Sequence, residues 1–188
     1  MSHILVSGVG DLVEPVSAAL RDQDCTVVAA GDVDGVAAAV AEAGPRSFDG
    51  YVQLPHRFGL HGDTAVDRIH HFVVDGLMAR YPAMSAALPG LRPRSRIAFV
   101  PAVLPAEVAT DDDVEARAAL LRVLGRAARA DGPEGLRVSF LGSGSTPQEI
   151  ALATLGLAPK HDDKAPTEPD RSYADWRVEL LGMMSAAG

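Results

Sequence analysis

The chain has 188 residues and carries 17 Lys and Arg against 25 Asp and Glu, a net charge of −8. This length fits one domain with a full hydrophobic core, and the acidic balance argues against binding nucleic acid. Its single cysteine, Cys25, cannot form an internal disulfide. No apolar run reaches the ~18 residues that span a bilayer, and no signal-peptide pattern opens the sequence. We therefore expect a cytoplasmic protein without a membrane anchor.

Apolar runs and helical patterns alternate along the chain. The candidate strands cover residues 3–9, 25–30, 48–54, 96–100 and 135–141. Helical patterns begin near Val13 and near Thr146, and others cover 34–43, 64–80 and 111–130. The pattern over 64–80 restarts near Pro82 and ends at Pro89-Gly90. Because the strands are continuous apolar runs, helices should cover both sheet faces. The pattern predicts an α/β fold with a doubly wound parallel sheet. Residues 1–158 are expected to form this domain, followed by a tail over 159–188 with a short helix.

The turn after the first strand carries part of a dinucleotide-binding pattern. Gly8 and Gly10 supply two of its three glycines, and Asp32 ends the second strand, where an acidic residue holds a ribose hydroxyl. The third glycine is missing, and Glu14 in the first helical turn would repel a pyrophosphate. Two interpretations stay open, namely a dinucleotide site and a glycine turn with a capping aspartate. The candidate cofactor-binding residues are Ser7, Gly8, Gly10 and Asp32.

Several segments occur in an order that is shared with a known family. They are Val6-Ser7-Gly8, Phe48 to Leu54, Val74-Asp75-Gly76, Arg94 to Val100, Gly135 to Ser139 and Thr146 to Ala151. Over residues 3–158 the chain resembles the short-chain dehydrogenase/reductase family. The resemblance implies a Rossmann-like fold of about five strands in the spatial order 2-1-3-4-5.

The catalytic residues of that family are replaced. The resemblance implies an Asn, a Ser and a Tyr-x-x-x-Lys motif, in which the Tyr exchanges a proton with substrate. The matching positions hold Asp75, Ala102, Asp113 and Arg117, and no tyrosine lies between Tyr81 and Tyr173. The chain is also shorter than the family pattern between Asp32 and Phe48, and it lacks the family's last strand. It therefore resembles a truncated, catalytically degenerate member without catalytic residues of its own.

The helix predicted over 113–130 is apolar on nearly all sides, more than a helix buried on one side needs. The resemblance implies that this helix and the segment 64–88 pack against their mates in a neighbouring subunit. The expected interface residues are Val114, Ala118, Leu121, Leu124, Ile69, Val73 and Leu77. The alternative is that the helix is covered within its own domain.

Two other groups of residues could suggest chemistry. His56, His61, Asp63, His70 and His71 lie close in sequence, but their placement on a loop and a helix favours ordinary polar residues or a ligand contact over a metal site. The segment Gly142 to Thr146 lacks the lysine of a phosphate-binding loop and the frame of a serine hydrolase. We therefore expect no metal and no hydrolase activity.

The leading hypothesis is a non-catalytic subunit that assembles with itself or with an active paralogue of the family as a heteromer. It predicts no cofactor. The alternatives are a divergent NAD(P)H-dependent oxidoreductase acting on a small carbonyl or hydroxyl compound, and a small-molecule-binding or isomerase-type protein. In the second of these three hypotheses His56 or Asp113 would donate the proton and Arg117 would orient the substrate. Asp32 would then favour NAD over NADP.

Overall fold

The structure is a computed structural model. It describes residues 1–55, 64, 66, 67, 70, 74, 78–101, 111–142 and 144–157, with the main chain alone over 111–118. The strands and helices that it describes with full bounds are β1 (Ser2–Ser7), α1 (Val13–Arg21), β2 (Cys25–Ala30), α2 (Val33–Ala43), β3 (Phe48–Gln53), α3 (Ala79–Ala87), β4 (Leu91–Phe99), α4 (Asp111–Asp131), β5 (Arg137–Phe140) and α5 (Pro147–Leu155). A 3-10 turn, Leu88–Gly90, joins α3 to β4.

The five strands form one parallel sheet in the order β2-β1-β3-β4-β5. This confirms the predicted fold class and strand order. Helices lie on both faces of the sheet. One core cluster packs α2, α3 and α4 against it through residues such as Val36, Met84 and Leu124, and the other packs α1 and α5 through Leu20 and Ile150.

The start of β4 differs from the prediction. The structure begins the strand at Leu91, whereas the sequence pattern placed it at Arg96. The pairing of β4 with β3 shifts between Phe48 and Gly50, and Arg94 has a φ of +64°. The irregular segment carries the polar residues between Leu91 and Arg96, which hid this part of the strand from an apolar pattern.

The helical prediction over 64–80 falls largely outside the described residues, although residues 66, 67 and 70 are helical. Helix α3 contains Pro82 and ends at Ala87, just before the predicted stop at Pro89-Gly90. No helix in the described part of the chain is long and apolar enough to cross a membrane. The expected cytoplasmic location stays a prediction.

The described residues within Met1–Ala158, which carry the sheet and helices given above, form one compact unit. The short helix expected in the tail lies outside the described residues, so the assignment of 159–188 as a tail stays a prediction.

Candidate functional site

The parallel strands end together at one edge of the sheet, which we call the carboxyl edge. Ser7, Ala30, Gln53 and Phe99 are the last residues of β1, β2, β3 and β4. In open α/β sheets ligands bind outside this edge, where the loops that follow the strands and the starts of helices come together. The carboxyl edge is therefore the candidate functional site.

The turn after β1 has a main chain that favours glycine. The φ angle is +134° at Gly8 and +106° at Gly10. A Cβ on Gly8 would lie 2.7 Å from the Cβ of Leu54, whereas no heavy atom lies within 4 Å of a Cβ placed on Gly10. Packing within the chain itself therefore requires Gly8, and Gly10 is the glycine beside open space.

The start of α1 carries the wrong charge for a pyrophosphate. Leu12 occupies the N-cap without a side-chain hydrogen bond, and Val13 stands in the place of the third glycine. The Glu14 carboxylate lies in the first turn, 2.9 Å from the guanidinium of Arg21, and both side chains are exposed. A carboxylate suits the positive end of the helix dipole but repels a bound phosphate. The missing third glycine and the Glu14 carboxylate are the two features of this turn that disfavour a bound pyrophosphate.

The Asp32 side chain, just after the end of β2, forms a hydrogen bond that caps a helix. Its Oδ1 accepts a hydrogen bond from the amide of Gly35 at 3.0 Å, so Asp32 caps the N-terminus of α2. The position also matches that of a ribose-binding acid in a dinucleotide fold. The sequence left open a dinucleotide site and a glycine turn with a capping aspartate. The hydrogen bond of Asp32 to Gly35 supports the capping aspartate. Cofactor binding by Ser7, Gly8, Gly10 and Asp32 stays a prediction.

Four buried polar side chains connect β1, β3 and α3, and we call them the Arg80 cluster: Ser7, Tyr51, Gln53 and Arg80. Ser7 Oγ and Tyr51 OH are 2.5 Å apart, and Gln53 Nε2 donates to Tyr51 OH at 3.3 Å. Gln53 Nε2 also donates to the main-chain carbonyl of Arg80 at 2.8 Å, while Arg80 Nε donates to Gln53 Oε1 at 3.1 Å. Arg80 Nη2 donates to the main-chain carbonyls of Gln53 and Val100, at 3.2 and 3.0 Å. The guanidinium therefore ties α3 to the ends of β3 and β4.

Burial shifts the pKa of both ionisable members of the Arg80 cluster. It raises the pKa of Tyr51 to about 12, against the opposing effect of its hydrogen bonds to Ser7 and Gln53. It lowers the pKa of Arg80 to about 10, because the charged form loses its hydration. Tyr51 is therefore neutral at physiological pH and poorly matched to proton exchange there. Arg80 remains a cation, and no carboxylate of the described residues forms an ion pair with it.

Arg80 was missed in the sequence, although a signal was present. It shares one helical face with Ala83, Met84 and Ala87, all of which are buried. An arginine on the core-facing stripe of a helix must either pair with a charge or bond to main-chain carbonyls. The spacing alone could have marked Arg80 as unusual, but it could not have named Gln53 and Val100 as its partners.

The positions that match the family's catalytic residues lie beyond what the structure describes. Asp75 and Ala102 fall outside the described residues, as do the side chains of Asp113 and Arg117. Of the two tyrosines that the structure describes, Tyr51 is buried in the sheet and Tyr81 is exposed on α3.

The histidine group is also only partly described. His56, His61, Asp63 and His71 fall outside the described residues, and His70 is exposed on a helical segment. Within the described part of the chain, no three His, Cys, Asp or Glu side chains come together to hold a metal ion.

The segment that ends at Thr146 begins a helix. Thr146 Oγ1 accepts from the amide of Glu149 at 3.2 Å, and the Glu149 carboxylate accepts from the amide of Thr146 at 2.8 Å. This reciprocal capping box begins α5, where the sequence pattern predicted a helix near Thr146. Ser143 lies outside the described residues.

The structure corrects part of the expected interface. Leu121 and Leu124 are 4% and 0% exposed and pack in the chain's own core. These two side chains are not available to a partner, because the sheet already covers them. The side chains of Val114 and Ala118 are not described, and Ile69, Val73 and Leu77 also lie outside the described residues.

A different set of apolar side chains is exposed on α3 and at described positions before it. We call Val66, Val74, Met78 and Tyr81 the apolar stripe; they are 74%, 43%, 55% and 38% exposed. They are separated by eight, four and three residues, a spacing that is typical of one side of an α-helix. Ala83, Met84 and Ala87 of α3 point into the core, so the apolar stripe is a second, outward-facing apolar surface.

No protein-family model and no curated protein matches the chain. Solved structures do match it. A short-chain dehydrogenase/reductase from Serratia marcescens has a TM-score of 0.58 at 17% identity over 84% of this chain and 88% of the other. The 3-alpha-hydroxysteroid dehydrogenase from Pseudomonas sp. B-0831, complexed with NADH, has a TM-score of 0.52 at 17% identity, over 85% and 89%. The protein lin1944 from Listeria innocua has 0.55 at 13% identity, over 84% and 94%.

These similarities define a class. The chain has the fold of the short-chain dehydrogenases/reductases, as the sequence resemblance predicted. At these identities the likeness concerns the fold alone. The expected truncation and loss of catalysis stay predictions.

Proposed function

We propose that this chain is a non-catalytic subunit of the short-chain dehydrogenase/reductase fold, and that it acts by assembling with a second subunit of that fold. The observation that carries the proposal is the apolar stripe. Exposed Met and Tyr side chains at helical spacing, next to a helix face that is already buried, favour a second helical surface as their cover.

The distribution of charge along α4 supports assembly in which α4 packs antiparallel to the corresponding helix of a second subunit. The first five residues of α4 include Asp111, Asp112, Asp113 and Glu115, whereas its second half carries Arg122, Arg126 and Arg129. Arg122 and Arg129 are exposed. Two such helices packed antiparallel place the acidic start of each beside the basic half of the other. A copy of this chain meets that requirement, as does a related subunit with the same charge order.

The candidate site supports the non-catalytic part of the proposal. The first turn carries the Glu14 carboxylate where a phosphate would lie, and Tyr51 is sealed in the sheet with a pKa of about 12. The sequence has Asp113 and Arg117 where the resemblance implies Tyr and Lys. With its catalysis lost, the remaining role of such a subunit is to stabilise an active partner or to complete that partner's pocket.

The apolar stripe gives a direct test of assembly. Sedimentation of the purified chain is expected to show an oligomer, and the double variant Met78→Lys with Tyr81→Lys is expected to be a monomer. The matched control is Leu157→Lys, which places the same charge on a residue that is 62% exposed outside the stripe. An oligomer that the double variant leaves intact contradicts the role of the apolar stripe. A wild-type monomer contradicts self-assembly and leaves a different subunit of the same fold as the partner.

A second candidate function is a divergent NAD(P)H-dependent oxidoreductase. The position of Asp32 after β2 favours it, because a dinucleotide fold uses an acid there. Calorimetric titration with NADH and with NADPH tests it. Binding of either cofactor at about millimolar concentration supports this candidate over ours, and no binding eliminates it. The heteromer has its own test, in which the chain is co-expressed with an active reductase of the same fold. A turnover higher than that of the reductase alone supports the heteromer.

A further inference from the structure

The Arg80 cluster holds a buried positive charge that forms no ion pair with a carboxylate of the described residues. Arg80 is 6% exposed, and its bonds go to neutral oxygens: Gln53 Oε1 and the main-chain carbonyls of Gln53 and Val100. Burying a charge without an opposite charge costs several kcal/mol, and hydrogen bonds to neutral groups offset only part of that cost. Buried guanidinium groups are therefore usually paired.

One end of the guanidinium remains available. The bonds to Gln53 and Val100 use Nε and Nη2, and no acceptor among the described residues bonds to Nη1. The sealed polar side-chain atoms without a partner in the described part of the chain are Ser17 Oγ and Ser95 Oγ. Nη1 is not one of them, and its two N–H groups are the donors of Arg80 for which no described residue supplies an acceptor.

The rest of the cluster is also rich in donors. Both hydrogens of the Gln53 amide are used, one on Tyr51 OH and one on the main-chain carbonyl of Arg80. Ser7 and Tyr51 share a single bond between their two hydroxyl groups. One of these two hydroxyl hydrogens therefore has no acceptor among the described residues. The cluster has more donors than acceptors, and its missing component is an acceptor that carries negative charge.

We propose that Arg80 binds a small oxyanion, such as the carboxylate of an organic acid, at the carboxyl edge of the sheet. The anion accepts hydrogen bonds from Nη1 and neutralises the guanidinium, while Gln53 and the carbonyl of Val100 hold the other side of the group in place. The ends of β3 and β4, where Arg80 lies, belong to the edge at which α/β sheets bind ligands. This binding needs no nucleotide and is independent of assembly.

The test measures the thermal stability of the intact purified chain with sodium acetate and with sodium phosphate, each against sodium chloride at equal ionic strength. Binding at roughly ten times the dissociation constant should raise the melting temperature by about 3–6 °C. Calorimetric titration then gives the affinity directly. A response to acetate assigns a carboxylate ligand, and a response to phosphate alone assigns a phosphate ligand. No response to either anion beyond the chloride control overturns the proposal.

Variants assign the response to Arg80. Arg80→Met should abolish it, and the matched control Arg137→Met, at an exposed arginine of β5, should keep it unchanged. If Arg80→Met does not fold, Gln53→Glu serves instead, because it places a carboxylate against Arg80 Nε. That internal anion should weaken the binding of acetate at least about tenfold, a difference of about 1.4 kcal/mol. An unchanged response in Arg80→Met, or in Gln53→Glu, contradicts the assignment. The oligomeric state is measured separately, so that failure of this proposal and of the proposed assembly are distinguishable.

Discussion

Leu54 fills the space beside Gly8: a Cβ on Gly8 would lie 2.7 Å from the Cβ of Leu54 and 3.2 Å from its carbonyl oxygen. The first turn of the fold is thus packed against the end of β3. In a dinucleotide fold the glycines of this turn let a cofactor approach the main chain. In this chain Gly8 instead allows Leu54 to pack against the turn.

Gly8→Ala is expected to destabilise the fold by about 3 kcal/mol or more, because it adds a close contact to an unfavourable φ. Gly10→Ala has a positive φ as well but no neighbour within 4 Å, so it should cost about 1–2 kcal/mol. Urea denaturation of both variants measures the difference. Equal losses would contradict the packing role of Gly8.

Tyr51→Phe is expected to cost about 1–2 kcal/mol at neutral pH, because it removes the hydrogen bonds to Ser7 and Gln53. The cost should shrink at alkaline pH. The pKa of Tyr51 rises from 10.0 to about 12 on folding, so its contribution is complete below pH 10 and is lost as the pH rises through 12. At pH 11 the free energy of unfolding of the wild type should be about 1 kcal/mol lower than at pH 7 because of Tyr51, whereas the variant should show no such loss. Denaturation curves at pH 7 and pH 11 check this, and a constant difference between the two proteins would refute it.

Asp32→Ala should destabilise the protein by about 1 kcal/mol through loss of the cap on α2. Asp32→Asn should be nearly neutral, because the amide oxygen still accepts from Gly35. Thr146→Ala should also lower the free energy of unfolding by about 1 kcal/mol, since it breaks the capping box of α5.

Thermal denaturation of the two Asp32 variants and of Thr146→Ala measures these losses. A large loss in Asp32→Asn would show that the charge at Asp32, rather than its hydrogen bond, stabilises the fold.

The strand order could be predicted because it depends on features that a sequence displays. Each strand contains or overlaps an apolar run of the sequence, and the resemblance supplied the order in which the runs pair. The first residues of β4 could not be found in this way. Between Leu91 and Arg96 the strand carries polar residues and a positive φ at Arg94, and its pairing with β3 shifts there. An irregular strand of this kind has no apolar pattern to mark it.

The candidate site was harder to predict because its bonds join distant parts of the chain. Gln53 and Arg80 are 27 residues apart, and Ser7 and Tyr51 are 44 apart. The helix 113–130 drew attention because it is apolar nearly all round, yet Leu121 and Leu124 are covered by the sheet. Composition indicates that a helix is apolar, but only the fold shows which of its faces is already covered.

Native mass spectrometry of the tagged chain, isolated from its host, tests the proposed assembly most directly. We predict that the chain carries a second subunit, either another copy of 19.6 kDa or a larger chain with the same fold. The apolar stripe should then be protected from hydrogen exchange in the complex. A single chain of 19.6 kDa that remains alone across the concentration range of the measurement would contradict the account.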